Sequence, residues 1–144
     1  MAYYPPVGFH FSVQFAISDE DNDIRFQSVA GLSVEYETET FIEGGENRFV
    51  HELPVRTQYG TLVLQRGLLV DSKVLKWCLE AFEQRKFEPS DLQIILLNEQ
   101  HEPLKTWSVS RAWPKKWSVS DFNAEENSLV IESLELSYRY FKLM

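Results

Sequence analysis

The sequence predicts a mainly β domain with one helix, and three observations favour this class. Apolar and polar residues alternate with period two in several short segments, as they do in half-buried strands, and turn-forming residues separate these segments. One segment repeats its apolar residues at helical spacing. Aromatic residues, which are favoured in strands, make up 14% of the chain. The spacing of roughly seven strands is typical of an all-β sandwich or barrel with one packed helix.

Length and charge limit the organisation and the partners of the chain. Its 144 residues predict a single domain over residues 1–144, with an extended N-terminal arm at 1–8. The formal net charge of −8 argues against non-specific nucleic-acid binding, which needs Lys and Arg to displace counterions from phosphates. The same charge weakens the case for docking on an anionic membrane. The N-terminus lacks the basic and apolar regions of a secretory signal, so we expect assembly in the cytoplasm.

The N-terminal part of the chain alternates strands with turns. Phe9 to Ile17 predicts a half-buried strand, and the acidic run Asp19 to Asp23 is typical of a hairpin tip. A second strand-like segment runs from Ile24 to Val29, and Ala30-Gly31 indicates a bend. After the bend, apolar residues alternate with glutamates, which gives a strand with one apolar and one acidic face.

A long excursion interrupts this alternation in the middle of the chain. The segment from Thr40 to Arg56 contains Gly44-Gly45 and Pro54, which predicts a hairpin that leaves the core. Segments of this kind commonly carry binding contacts. Strand-like composition returns from Thr61 to Leu68.

The C-terminal half begins with the predicted helix. Asp71-Ser72 offers an N-cap, and apolar residues then recur at helical spacing. Leu92 to Leu97 is apolar on both strand faces, which predicts a strand covered on both sides, by that helix on one of them. A further strand is expected from Leu104 to Trp113, where Pro114 interrupts the ladder, and strand structure resumes at Trp117-Ser118-Val119. A last strand is expected from Leu129 towards Phe141.

No motif in the sequence predicts catalysis or a bound cofactor. A nucleophile elbow, a phosphate-binding glycine loop and a helical HExxH motif are all missing. Cys78 lies on the apolar stripe of the helix, where a thiol behaves as a small hydrophobe, and one cysteine cannot form an internal disulfide. His10, His51 and His101 sit in separate strands or turns without a metal-ligand spacing. We expect no catalytic residue, no metal ligand and no cofactor.

The acidic turn has an alternative interpretation as a cation site. Asp19, Asp21 and Asp23 begin like a calcium loop, but Ile24 and Ala30 occupy the positions of the required Gly and Glu, so a solvated hairpin is favoured.

Two further patterns also favour structural over chemical interpretations. Glu35, Glu37 and Glu39 share one strand face, and a solvated face is favoured over paired catalytic carboxylates. The Trp113-Pro114-Lys115-Lys116-Trp117 segment combines aromatics with bases. Tryptophans packed around a proline-broken strand are favoured there over stacking on single-stranded nucleic acid.

A set of segments spread over nearly the whole chain carries a family resemblance by its order and spacing. The segments are Tyr4-Pro5-Pro6-Val7-Gly8-Phe9-His10-Phe11, Ser28-Val29-Ala30-Gly31-Leu32, Glu43-Gly44-Gly45-Glu46-Asn47-Arg48, Leu53-Pro54, Tyr59, Leu62, Leu64, Arg66-Gly67, Trp77, Ala112-Trp113-Pro114, Lys116-Trp117, Asp121, Asn123-Ala124, Asn127, Ile131-Glu132 and Leu134-Glu135-Leu136. Together they resemble the tail tube protein family of contractile phages and the related inner tube proteins of contractile injection systems.

The resemblance implies a fold, an assembly and a set of partners. The implied fold is two packed antiparallel sheets that form a barrel-like domain with one helix. The implied assembly is a hexameric ring, stacked into a hollow conduit for DNA or protein, without enzymatic turnover. The implied partners are other copies of the chain, a sheath protein and baseplate or tube-initiating proteins, with cargo that passes the lumen without specific binding and no membrane anchor. The chain would be part of a phage tail, or of an extracellular or cell-anchored contractile injection particle.

Two alternatives to a main tube subunit remain open. Within the family, similar sequences also serve as the tube-initiating ring of the baseplate. In a different class, a monomeric β-barrel that binds a small ligand would need a large apolar cavity and no self-association.

The resemblance also points to assembly residues. The 40–56 excursion is the candidate for contacts within and between rings, assisted by the N-terminal arm and by residues 140–144. Its Gly44-Gly45 would supply special backbone angles, and Asn47-Arg48 hydrogen bonds to a neighbour. The inter-subunit candidates are Tyr4, Phe41, Glu43, Gly44, Gly45, Asn47, Arg48, Leu53 and Pro54.

The acidic strand face is the candidate for lining the lumen. Like charge on Glu35, Glu37 and Glu39 would keep DNA or acidic cargo from sticking to the wall. The alternative places these glutamates on the outer wall, against a sheath.

Overall fold

The computed structural model describes residues 10–18, 26–42, 50–69, 72–121 and 130–144. These ranges hold nine strands and one helix. They are β1 (His10–Phe15), β2 (Ser28–Ala30), β3 (Val34–Ile42), β4 (Val50–Tyr59), β5 (Leu62–Gly67), α1 (Lys73–Gln84), β6 (Ser90–Leu97), β7 (Pro103–Val119), β8 (Ile131–Ser137) and β9 (Tyr140–Leu143).

Two antiparallel sheets share the long strand β7. Its first half lies between β6 and β9, and β1 pairs with the other edge of β6. Its second half pairs with β8, and β5 and β2 continue that second sheet. Within the described residues, the order β1-β6-β7-β8-β5-β2 runs from edge to edge and does not close into a barrel. The predicted fold of packed antiparallel sheets with one helix is confirmed.

Strand β7 stays continuous where two strands were expected. Its register shifts between Pro114 and Lys116, because proline has no N–H to donate to the ladder and a bulge absorbs the mismatch. The predicted last strand, in contrast, is divided into β8 and β9. The two join different halves of β7, so the chain changes sheet between Ser137 and Tyr140.

The core combines side chains from both sheets and from α1. Alternate residues of β5 and β8 are fully or almost fully buried, as period two requires. The buried apolar cluster consists of Val13, Phe15, Phe26, Leu62, Leu64, Val74, Trp77, Cys78, Leu92, Ile94, Val109, Ala112, Leu134 and Leu136. Each fully buried large aliphatic side chain contributes about 1.5–3 kcal/mol to folding.

Helix α1 begins and ends at well-formed caps. The Ser72 Oγ atom accepts a hydrogen bond from the Leu75 N–H at 3.1 Å, which confirms the predicted N-cap. Arg85 adopts the left-handed conformation with φ 54°, and the Lys86 N–H donates to the Glu80 carbonyl at 3.1 Å. No helix in the described part of the chain is long and apolar enough to cross a membrane.

Strand β6 is covered on one face over its first half, so the prediction of two covered faces was wrong there. Leu92 and Ile94 are buried, whereas Asp91 and Gln93 are exposed. Ile95 and Leu96 continue the apolar run on both strand faces, but both side chains are only half-buried. An apolar residue on each face therefore did not mean that each face is covered.

Strands β3 and β4 pair with each other as a two-stranded ribbon and, among the described residues, do not pair with the strands of the other sheets. The base of the ribbon is fixed beside Gly31, where a φ of 92° and a close approach of the Thr61 carbonyl leave no room for a side chain. A Cβ atom at Gly31 would lie 1.8 Å from that carbonyl oxygen. The Gly60 N–H donates to the Ser33 carbonyl at 3.0 Å and closes the base.

Candidate assembly surfaces

The acidic face of the ribbon carries the three glutamates that the sequence places together. Glu35, Glu37 and Glu39 lie opposite Gln58, Arg56 and Leu53 in the antiparallel register, and residues directly opposite share a face. The Glu37 Oε2 and Arg56 Nε atoms are 2.6 Å apart. Glu35 and Glu39 are exposed. Because the pair is solvated, it contributes little to folding, about 0–1 kcal/mol, and the face remains acidic.

The other face of the ribbon is apolar and equally open to solvent. Val34 is 50% exposed and Tyr36 is 63% exposed. The prediction of one apolar and one acidic face is confirmed for β3. At the base of the ribbon, Tyr59 lies opposite Val34 and meets the rings of Tyr138 and Phe141 edge to face, with centroids 5.8 and 5.2 Å apart. Exposed apolar area of this kind marks an interaction surface when it is contiguous.

The predicted inter-subunit residues fall partly on this ribbon. Phe41 pairs with His51 in the register of β3 and β4. Leu53 is 49% exposed opposite Glu39, and Pro54 lies opposite Thr38 beside a register shift. The 40–56 excursion is therefore the outer part of a hairpin that begins at Val34. Six of the predicted residues lie outside the described residues: Tyr4, Glu43, Gly44, Gly45, Asn47 and Arg48.

The sheet edges form a second class of assembly surface. Strands β1, β2 and β9 each have one strand neighbour within the described residues, so each presents an open edge there. Such an edge carries backbone N–H and C=O groups that can pair with a strand of another chain.

A buried polar network ties α1 to the sheets behind these surfaces. The side chains of Arg66 and Glu132 are 3% and 5% exposed, and Arg66 Nε donates to Glu132 Oε2 at 3.0 Å. The Trp117 Nε1–H donates to Glu132 Oε1 at 2.8 Å, and Arg66 Nη2 donates to Ser72 Oγ at 2.9 Å. The Arg66 guanidinium also lies 4.7 Å from the ring centroid of Phe26. Hydrogen bonds to both carboxylate oxygens make this charge pair tolerable in the core.

The cysteine that could have been a nucleophile lies in the packed core. Cys78 is 1% exposed, and burial, followed by the negative charge of Glu132, raises its pKa from 9.0 to about 12. A thiol of that pKa is a core hydrophobe and not a nucleophile.

The structure brings together two histidines that the sequence separates. The rings of His10 and His101 meet edge to face with centroids 5.0 Å apart. Among the described residues, no three His, Cys, Asp or Glu side chains form a group that could hold a metal ion. The aspartates of the predicted acidic turn lie outside the described residues.

The two tryptophans of the Trp-Pro-Lys-Lys-Trp segment differ in exposure and in their contacts. Trp117 is packed and hydrogen bonded, as the structural interpretation predicts. Trp113 is 38% exposed, and its ring meets that of Phe87 edge to face with centroids 6.1 Å apart. With Pro89 these two rings line an open apolar cleft of about 280 Å³. Sequence reasoning missed this cleft because Phe87 follows the helix outside any periodic segment.

The apolar pocket between the sheets is small. It measures about 170 Å³ and is lined by Phe11, Val29, Leu32, Ile94, Leu96 and Trp107. Ligand pockets usually measure about 300–1,000 Å³, so this pocket gives no support to the ligand-binding barrel.

The sequence matches the family model of the T4-like virus tail tube protein gp19 over residues 7–142, which is nearly the whole chain. The curated protein sequences give no match.

The fold is similar to solved structures of contractile injection systems. A chain in the cryo-EM structure of the anti-feeding prophage baseplate is 32% identical with a TM-score of 0.88, and the alignment covers 99% of this chain and 97% of that one. A chain in the sheath-tube complex of the extracellular contractile injection system PVC, in its extended state, is 26% identical with a TM-score of 0.81, over 99% and 93% of the two chains. Hcp1 from Flavobacterium johnsoniae shares the fold at 15% identity, with a TM-score of 0.55 over 93% and 94%.

Proposed function

This chain belongs to the T4-like virus tail tube protein family, and we propose from that premise that its copies form hexameric rings that stack into a hollow conduit for DNA or protein. The observation that carries the proposal is the family match over residues 7–142, supported by the similarity to a contractile injection system baseplate chain over 99% of the sequence. The chain is a structural component of a phage tail or of an extracellular contractile injection particle. Its function is mechanical, and it requires no catalytic residue.

Symmetry explains why one chain needs two different contacts with itself. A heterologous contact that closes under rotation forms a ring, and a second heterologous contact between ring faces propagates as a filament. The open edges of β1, β2 and β9 supply backbone groups for the first kind of contact. In this assembly, residues 1–144 form a single tail-tube-like domain.

The 40–56 segment, with the N-terminal arm and residues 140–144, is the proposed contact between rings and ring neighbours. Support comes from the exposed ribbon, in which Leu53 is 49% and Val55 51% exposed. Apolar side chains left open in the single chain gain stability when a second copy covers them, by about 25 cal/mol per Å².

A sheath protein and baseplate proteins are the proposed partners outside the tube. The relatives of the chain occur in a sheath-tube complex and in a baseplate. Cargo passes the lumen without a specific binding site, and no membrane anchor is involved.

The acidic ribbon face is the proposed lumen lining. Glu35 and Glu39 are exposed on the same face as Glu37, so their charges can repel nucleic acid or acidic protein from the wall. A cryo-EM map of the assembled tube tests this assignment. Side chains that point to the outer wall would contradict it.

Electron microscopy of the purified protein beside its light-scattering mass tests the assembly. We expect rings with a central channel and a mass of six chains, and tubes at high concentration. A persistent monomer that also fails to assemble on a baseplate template would contradict the proposal.

A tube-initiating ring of the baseplate is the second candidate. It is favoured by the higher identity to the baseplate chain, 32% against 26% for the sheath-tube chain. An initiating ring has one face that meets the baseplate and one that meets the tube, so purified rings would stop at one or two layers. Long tubes of the pure protein would favour the main tube subunit.

A further inference from the structure

We propose that the cleft formed by Phe87, Pro89 and Trp113, hereafter the aromatic cleft, receives the apolar face of the β3–β4 ribbon of a second copy. This inference rests on the proposed tube assembly, because it names a contact through which the copies hold each other.

The aromatic cleft has the chemistry of a socket for a side chain. Phe87 is 55% exposed and Trp113 is 38% exposed, and their rings stand at 88° to each other with centroids 6.1 Å apart. All three lining residues are apolar, and the cleft of about 280 Å³ is open to solvent. Exposed aromatic rings around a small cleft are typical of the anchors at protein interfaces.

Two cationic residues flank Trp113 on β7, although the whole chain is acidic. Arg111 and Lys115 stand two residues to either side of Trp113 on β7, so their Cα atoms lie within about 7 Å of that of Trp113. Both are exposed, and within the described part of the chain neither forms an ion pair. Lys115 Nζ donates to Thr61 Oγ1 at 3.5 Å, and the Arg111 backbone N–H donates to Asp91 Oδ1 at 2.8 Å. Lys86 and Glu88, close to Phe87 in sequence, neutralise each other at 3.3 Å.

The ribbon supplies the complement in both charge and shape. On the face that carries Tyr36, the charged side chain among the described residues is Glu52, because Glu35, Glu37, Glu39 and Arg56 belong to the opposite face. On the apolar face, Tyr36 is 63% exposed, and the register places Pro54 and Glu52 on that same face. A tyrosine and a proline pack well against aromatic rings, and Glu52 would approach the cations beside Trp113.

The two surfaces do not satisfy each other within one chain. Tyr36, Phe87 and Trp113 all remain exposed in the single copy. A contact between different patches of two copies is heterologous, and such a contact builds rings or filaments. A ribbon in the aromatic cleft therefore leaves the acidic face of the ribbon free to line the lumen.

Cysteine cross-linking tests the contact in the assembled protein. The variant carrying Tyr36→Cys and Phe87→Cys should form a ladder of covalent oligomers on a non-reducing gel after mild oxidation. The native Cys78 is 1% exposed and does not interfere. The matched control carries Tyr36→Cys and Leu104→Cys, since Leu104 is 43% exposed away from the aromatic cleft, and it should remain monomeric on the gel. Assembled particles that cross-link equally in both variants, or in neither, would overturn the inference.

Charge exchange gives a second test that does not depend on cysteine geometry. Lys115→Glu and Glu52→Lys should each raise the concentration needed for assembly about tenfold, because like charges then meet. A mixture of the two variants should assemble as the unchanged protein does, since each aromatic cleft finds a ribbon of opposite charge. Lys105→Glu and Glu99→Lys alter the same charges elsewhere and should assemble normally.

Three results separate the possible failures. Circular dichroism first establishes that each variant is folded. Folded single variants that assemble like the unchanged protein, or a mixture that stays as disassembled as its components, would overturn the contact while leaving tube formation intact. Failure of the unchanged protein to assemble on a baseplate template would instead contradict the proposed function itself.

Discussion

At the scale of single residues, Glu132 supplies the negative charge that compensates the buried guanidinium of Arg66. Its two oxygens accept hydrogen bonds from Arg66 Nε at 3.0 Å and from Trp117 Nε1 at 2.8 Å. Glu132→Gln removes the negative charge but keeps the shape, which leaves the guanidinium uncompensated. We expect a loss of about 3 kcal/mol in the free energy of unfolding, measured by urea denaturation of the unassembled protein.

A carboxylate on the same strand provides the matched control. Glu135 lies 3.7 Å from Lys116, and its side chain is 30% exposed. Glu135→Gln should cost less than about 1 kcal/mol, because water already screens that pair. Equal losses in the two variants would show that burial does not set the importance of the Arg66–Glu132 pair.

The buried thiol of Cys78 makes the fold less stable as the pH becomes alkaline. Burial raises the pKa of its thiol from 9.0 to about 12 in the folded chain. Between these values the unfolded chain loses the thiol proton while the folded chain keeps it, so the free energy of unfolding falls as pH rises above 9. Urea titrations at pH 8 and at pH 10.5 should show a smaller decrease in Cys78→Ala than in the unchanged protein. Identical decreases would contradict the raised pKa.

The sequence predicts some of these residues and not others for a clear reason. Cys78 is predicted to be in the core because helical spacing places it on a local apolar stripe. The Arg66–Glu132 pair joins residues 66 positions apart, and the contact between His10 and His101 likewise depends on strand pairing across the fold. Periodicity within a segment carries no information about such partners, so these contacts require the tertiary structure.

At the scale of elements, the start of α1 depends on one hydroxyl. Ser72 Oγ accepts from the Leu75 N–H and from Arg66 Nη2, so it caps the helix and joins it to β5. Ser72→Ala should lower the free energy of unfolding by about 1–2 kcal/mol. Ser72→Thr keeps the hydroxyl and should recover most of that loss. Equal denaturation midpoints for Ala and Thr would contradict the capping role.

The ribbon shows that the sequence of an element predicts the face on which a residue lies but not whether that face is buried. Alternation over β3 predicts which residues share a face, and the register confirms it for Glu35, Glu37 and Glu39. Alternation does not say what covers each face, and the side chains of Tyr36 on one face and of Glu35 and Glu39 on the other prove to be exposed. The same ambiguity explains β6, whose apolar run indicated burial on both sides although Gln93 is exposed. Local pattern fixes orientation within a strand, whereas burial depends on the neighbours that the fold provides.

At the scale of the whole molecule, the surfaces left open by one chain make sense as assembly contacts. The ribbon, the aromatic cleft and the sheet edges all carry groups that are costly to leave in water or prone to unspecific pairing. Closed rings and stacked layers would cover them in a defined order. A chain that is acidic overall can still attract its own copies where some of its cations stand beside an apolar contact, as Arg111 and Lys115 stand beside Trp113 on β7.

Deletion of residues 43–48 tests which step of assembly depends on the 40–56 segment. If this segment joins one ring to the next, the shortened protein should still form hexameric rings, seen by light scattering and electron microscopy, while tubes become rare. Replacement of the same six positions by glycine and serine keeps the length of the hairpin and removes its side chains, including Asn47 and Arg48. Loss of tubes in both variants would assign stacking to the side chains, and loss in the deletion alone would assign it to the reach of the hairpin. Long tubes from both variants would exclude the segment from stacking and leave the aromatic cleft and the sheet edges to hold the rings together.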